Sequence, residues 1–136
     1  MKISTWSPYL LSVLRIVTAL LFVEHGSSKL LGFPPPAMPA QLFSQEGFFR
    51  IPSIEGLSGV LELVGGMLLV IGLFTRVTAF ILSGEMAVAY FMVHASHNFF
   101  PLVNKGELAV LYCFVFLYLF AAGGGPWSVD ALRRRA

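Results

Sequence analysis

The sequence predicts an all-α integral membrane protein, a four-helix bundle in a single domain over residues 1–136. Three observations predict it. Of the 136 residues, 57% are hydrophobic and only 12% are charged, whereas soluble domains average about 25% charged. The apolar residues form four runs near the ~20-residue length that crosses a bilayer. Most of the basic residues stand at chain ends or turns. A water-soluble core of this content would lack the polar surface to cover it. The net charge is only +2 and gathers on no basic face, which excludes a nucleic-acid partner. Cys113 is the single cysteine and sits in an apolar run, so neither an internal disulfide nor a CxxC redox pair is available.

The first span is expected at about 8–31. Arg15 interrupts its apolar run and no clear small-x-small cleavage site follows, so the segment reads as a retained span, not a signal peptide. The second span is expected at about 54–74 and the third at 77–95, with Thr75 and Arg76 as the tight hairpin between them. The fourth, about 105–122, is short. Gly123 to Gly125 end it, and Pro126 prevents the helix from resuming. Trp127 and Trp6 suit an interfacial belt. Residues 32–53 form a long loop whose early prolines bar a regular helix. Within it, "AQLFSQEGFF" has the pattern of a short amphipathic surface helix. A second loop covers 96–104.

Loop charge sets the orientation. Lys2, Arg76 and Arg133 to Arg135 share one side; Lys29, Arg50 and Lys105 share the other. The positive-inside rule then places both termini in the cytoplasm of a bacterial inner-membrane protein and turns the two long loops outward.

Charges at membrane depth cost at least ~2.5 kcal/mol each, so each needs a reason. At ~1.5 Å per residue, Arg15 lies about 10 Å up span one and Glu85 about 12 Å up span three. They are expected to meet as an ion pair. In span two, Glu55, Gly59, Glu62 and Gly66 follow i, i+4, i+7, i+11 spacing and share a face. An acid on such a small-residue stripe must face the bundle. Near the outer end of span one, His25 and Lys29 share a face at i, i+4, with Arg15 and Thr18 on roughly that face below. Glu24 turns away by ~100°. Taken alone, Lys29 reads as a snorkelling amine. His94, His97 and Glu107 reach the same outer level. The expected polar interior is therefore Arg15, His25, Lys29, Glu62, Glu85 and His94, a partly wet chamber opening outward; a loop-capped vestibule holding only structural hydrogen bonds is the alternative.

Sharper chemistries fit less well. His25 with His94 is the one pair suited to a bundle haem, and haem is not expected. No Glu-x-x-His pairs exist for a di-iron site, and zinc at His94 and His97 lacks an evident third ligand; no metal is expected. Nucleotide, phosphate-loop and serine-nucleophile signatures are absent. An apolar small molecule fits better. Phe43, Phe48, Phe49, Phe99 and Phe100 are placed to cover one, and a quinone would find His25, Glu62 or His94 for its oxygens.

The stretch "LRIVTALLFVEHGSSKLLGF" resembles the start of the DoxX family, through Arg15, His25, Gly26, Lys29, Gly32 and Phe33. "GVLELVGGMLLVIGLFTRVTAFIL" is similar to its second-span pattern in Glu62, Gly65, Gly66, Gly72, Thr75 and Arg76. "EMAVAYFMVHASHNFFP" is similar to its third span in Ala89, Tyr90 and His94. The resemblance covers about residues 10–125; Glu24 departs from it. It implies a four-helix inner-membrane bundle tied to quinone-linked oxidation. The partners it implies are membrane lipid, a quinone, and other membrane or peripheral redox proteins, with a homo-oligomer as a further option. The rival expectation is a small-molecule or proton-coupled binding or transport protein without redox chemistry, and a third is a purely structural membrane scaffold.

Overall fold

A computed structural model of the protein describes residues 3–35 and 53–135, and among these it contains helices and turns but no strand. The expected surface helix in "AQLFSQEGFF", the cover from Phe43, Phe48 and Phe49, and the charges of Lys2 and Arg50 lie outside the described residues.

Helix α1 spans Ser7–Leu31. Pro8 stands in its first turn, where a missing N–H costs nothing. Gly32 ends it in the left-handed region at φ 68°. Helix α2 spans Ile54–Ile71, and the Ser53 hydroxyl caps it by accepting from Gly56 N at 3.0 Å. Helix α3 spans Thr75–Ala89 and continues as a π-helical turn over Tyr90–His94. The α2–α3 turn falls at 72–74, not at Thr75 and Arg76. Gly72 and Phe74 have φ values of 71° and 51°, and both Thr75 and Arg76 already belong to α3.

Helix α4 is a single turn, Pro101–Asn104, inside the expected 96–104 loop. Lys105, at φ 58°, separates it from α5, Glu107–Ala122. That break explains why the fourth helix has only 16 residues. The three longer rods, counting α3 with its π turn, are long and apolar enough to cross a membrane. A last helix, α6, spans Val129–Arg133. It was not among the expected helices.

Helix α1 packs along α2, and α3 along α5; a thinner α2–α3 seam and a touch between α1 and α5 join the pairs. The buried residues of α1 recur at three- and four-residue steps: Ser12, Arg15, Thr18, Ala19, Phe22, Gly26 and Leu30. Glycines let α1 and α2 approach closely. A Cβ on Gly26 would lie 2.4 Å from Leu63 N, and one on Gly66 would lie 2.7 Å from Val23 Cγ2. At the centre Phe22, Tyr112 and Phe116 form an aromatic cluster, with the Phe22 and Phe116 rings 4.8 Å apart and edge-on. Between α3 and α5, Ser83 Oγ donates to Cys113 O at 2.8 Å.

The polarity is inverted relative to a soluble protein. Arg15, Glu62, Ser12, Thr75 and Ser83 are buried, while Leu10, Val17, Phe80, Val88, Leu111 and Phe114 are exposed. Only an apolar solvent rewards that arrangement.

Candidate functional site

The polar residues predicted for one chamber divide among three places along the bundle.

The first is the hairpin end. Arg15 is fully buried and does not meet Glu85. Its guanidinium donates instead to four main-chain carbonyls. Nη1 bonds Leu69 O and Val70 O (2.6 Å to the latter), Nε bonds Gly124 O at 2.8 Å, and Nη2 bonds Trp127 O at 2.5 Å. Two of these carbonyls belong to the last turn of α2, where the helix dipole favours a cation. The planar fork of arginine satisfies all four without an anion. The expected ion pair fails because α2 and the 123–128 segment close around Arg15, whereas Glu85 stands farther along α3. Ser12 Oγ accepts from Trp127 N at 3.2 Å beside this hub.

The second place is the outer loop. His94 Nδ1 lies 3.0 Å from Asn104 O, and its ring stacks on Tyr90. Tyr90 donates its hydroxyl to Phe99 O. His94 thus pins the 95–106 segment onto the end of α3, and no contact among the described residues joins it to Lys29 or Glu62. Phe99 and Phe100 are exposed and pack on each other. His97 turns back to Val93 O at 3.0 Å.

The third place lies between α1, α2 and α3 and holds the unusual chemistry. Lys29 Nζ lies 2.7 Å from Glu62 Oε1 and donates to Ser58 Oγ at 3.0 Å. Ser58 Oγ donates to the same Glu62 oxygen at 3.4 Å. The Glu62 side chain is 3% exposed and that of Lys29 27%. The amine therefore reaches inward to a carboxylate instead of snorkelling out to head groups. Glu62 rides the small-residue stripe as expected, but that stripe is Gly56, Gly59, Glu62, Gly65 and Gly66, and Glu55 is exposed outside it. Glu85 enters from α3, within electrostatic reach of Glu62, Lys29 and Ser58. Among the described residues, both Glu85 oxygens and Glu62 Oε2 are buried and take no hydrogen bond of normal length, although the Ser58 hydroxyl is placed toward Glu85. So many acceptors around one amine leave the cluster short of donors.

His25 meets this region through Tyr112. Their rings pack edge-on at 5.9 Å, and Tyr112 lies within electrostatic reach of both Glu62 and Glu24. Lys29, Glu62 and Glu85 were expected in one polar interior, but the level of Glu85 with Glu62 and the place of Tyr112 beside them were not foreseen. The signal was available: Glu62 stands ten residues before Gly72 and Glu85 ten after Thr75, so an antiparallel hairpin sets them level. No group of three or more His, Cys, Asp or Glu residues poised to hold a metal occurs among the described residues.

Comparison with known proteins agrees with this architecture. The DoxX family profile matches residues 10–95. An uncharacterized protein of Haemophilus influenzae is 44% identical over 95% of this chain and 94% of its own length. The inner membrane protein YqjF of Escherichia coli is 29% identical, with 88% of each chain covered. A membrane protein of Mycobacterium tuberculosis is 26% identical over 90% of this chain and 81% of its own. No solved structure matches the chain. With Glu62, Lys29 and the hairpin glycine all inside the matched segment, and a relative this similar along nearly its whole length, the chain belongs to the DoxX family of membrane proteins.

Proposed function

We propose that the protein is a four-span subunit of the bacterial inner membrane, with both termini in the cytoplasm, serving quinone-linked redox chemistry through the Lys29–Glu62–Glu85 cluster. The inner-membrane assignment draws on the name of the Escherichia coli relative. The orientation draws on loop charge. One observation carries the functional reading: among the described residues, the buried Glu62 Oε2 and Glu85 oxygens take no hydrogen bond of normal length, with the Ser58 hydroxyl placed toward Glu85, so the cluster has more acceptors than donors.

That shortage fits a quinone. A bound quinone supplies a two-electron, two-proton couple. Its carbonyl oxygens need donors, and its reduced hydroxyls need acceptors. Lys29 Nζ has a third proton beyond those given to Ser58 and Glu62. Glu85 in its acid form donates, and as a carboxylate it accepts. Glu62, bonded to Lys29, keeps the amine aimed. These residues would hold the ring oxygens and move protons at Glu85, with Ser58 and Tyr112 fixing the wall.

The same acceptors favour a second reading, a proton-coupled binding or transport protein. Acceptors without donors suit a proton or a donor-bearing solute as well as a reduced ring. Mass spectrometry of the purified protein separates the two. Co-purifying quinone supports the first. An empty bundle whose proton flux in liposomes vanishes in Glu62→Gln supports the second. Glu62→Gln is expected to abolish function in a complementation assay with little loss of expression; full complementation by the variant rejects a chemical role for the cluster.

A further inference from the structure

The hairpin end carries a cleft that the carboxylate cluster does not use. Its volume is about 420 Å³, and it opens between the first turn of α3, the end of α5 and α6. Arg76, Arg133 and Arg134 line it against the single carboxylate of Asp130. Asp130 is already engaged: its two oxygens accept from Phe74 N at 2.9 Å and Thr75 N at 2.8 Å, capping α3. The arginines keep donors to spare. Among the described residues Arg76 spends only Nη1, on Phe120 O at 2.7 Å and Ala121 O at 2.6 Å. Arg134 spends Nε on Asp130 O. Arg133 lies 5.5 Å over the Phe74 ring. Among the described residues none of the three forms an ion pair. Thr75, 1% exposed, belongs to the same lining, and its hydroxyl faces the Asp130 carboxylate.

The wall next to these charges is apolar. Val77, Phe80 and Phe120 are exposed, and the last two rings pack at 5.2 Å. Trp127, 54% exposed and packed on Tyr9 at the same end, has the amphipathic ring that settles at head-group level. Charge and grease therefore adjoin at the depth where a phospholipid changes from one to the other. We propose that the cleft binds the phosphate head group of an anionic phospholipid, with its acyl chains lying on the Val77, Phe80 and Phe120 ridge. Guanidinium forks match phosphate oxygens, and basic pockets at the ends of membrane helices select anionic head groups. A free phosphate ion would have no use for the ridge.

Native mass spectrometry of the full chain released from mixed phosphatidylglycerol and phosphatidylcholine nanodiscs tests this. The wild type should retain phosphatidylglycerol selectively. Arg133→Gln with Arg134→Gln, both exposed positions, should retain it ~tenfold less or weaker still. Equal retention of the two lipids by the wild type overturns the proposal, as does unchanged retention by a variant that keeps its helical circular dichroism. Displacement of the lipid by an equal concentration of inorganic phosphate overturns the lipid as occupant. A photoreactive phosphatidylglycerol gives a readout on unaltered protein: it should label the stretch around Val77 and Phe80, and labelling only elsewhere rejects the site.

Discussion

Arg15 gathers carbonyls from two separate stretches of chain, Leu69 and Val70 at the end of α2, and Gly124 and Trp127 in the 123–128 segment. Replacing it with methionine leaves Leu69 O its bond from Gly72 N but strands the Val70, Gly124 and Trp127 carbonyls, each worth about 1–3 kcal/mol when left unmade. Arg15→Met should therefore lower the unfolding midpoint sharply in detergent, and Arg15→Lys should recover only part, because an ammonium lacks the fork. Glu85→Gln should leave that midpoint nearly unchanged, since the two residues are not partners. A fall as large as that of Arg15→Met would restore the ion pair. The sequence marks Arg15 as buried through its helical spacing and its cost in lipid. It does not mark the partners, because main-chain carbonyls carry no residue identity. Glu62 was legible from its glycine neighbours, whereas its bond to Lys29, 33 residues away, required the α1–α2 packing.

Among the elements, the α1–α2 seam rests on missing side chains. A Cβ on Gly26 meets the backbone of Leu63 and Gly59, which cannot step aside, while Gly84 has nothing within 4 Å. Gly26→Ala should destabilise by roughly 1–3 kcal/mol, the usual cost of overpacking. Gly84→Ala should be neutral or better, because alanine favours helix. Thermal melts of both variants check the pair, and equal melts would deny the close approach. Helix α3 depends on a cap from α6. Burial alone would raise the Asp130 pKa, but the backbone N–H bonds of Thr75 and Phe74 and the charge of Arg134 outweigh it, and the carboxyl titrates below its ordinary value. A depressed folded pKa gives stability that is present above the unfolded value and fades as pH falls through the folded one. Protease cutting within 123–135 should rise as the medium is acidified below about pH 4, and Asp130→Asn should flatten that rise. Run lengths and terminal glycines made the four rods legible. The shift of the hairpin to 72–74 was not, since a left-handed Phe74 runs against its residue type. Helix α6 did leave a trace, Ser128 as N-cap with Asp130 in the first turn, which the three arginines after it obscured.

Among the described residues, Arg15, Glu62 and the buried hydroxyls face inward and hydrocarbon faces outward, as a lipid solvent demands. Composition alone announced that inversion. It did not announce that the interior charges divide between a carbonyl-bound arginine at one end and a donor-poor carboxylate cluster elsewhere, because hydropathy has no term for which helices pair. The Arg15 hub also has a bearing on biogenesis. The guanidinium leaves the ribosome 109 residues ahead of Gly124 and 112 ahead of Trp127. Until those carbonyls arrive, the nascent first helix holds a cation with no complete set of acceptors. Insertion and maturation are thus separate events, and a stretch synthesised well after the first helix closes the lock on it.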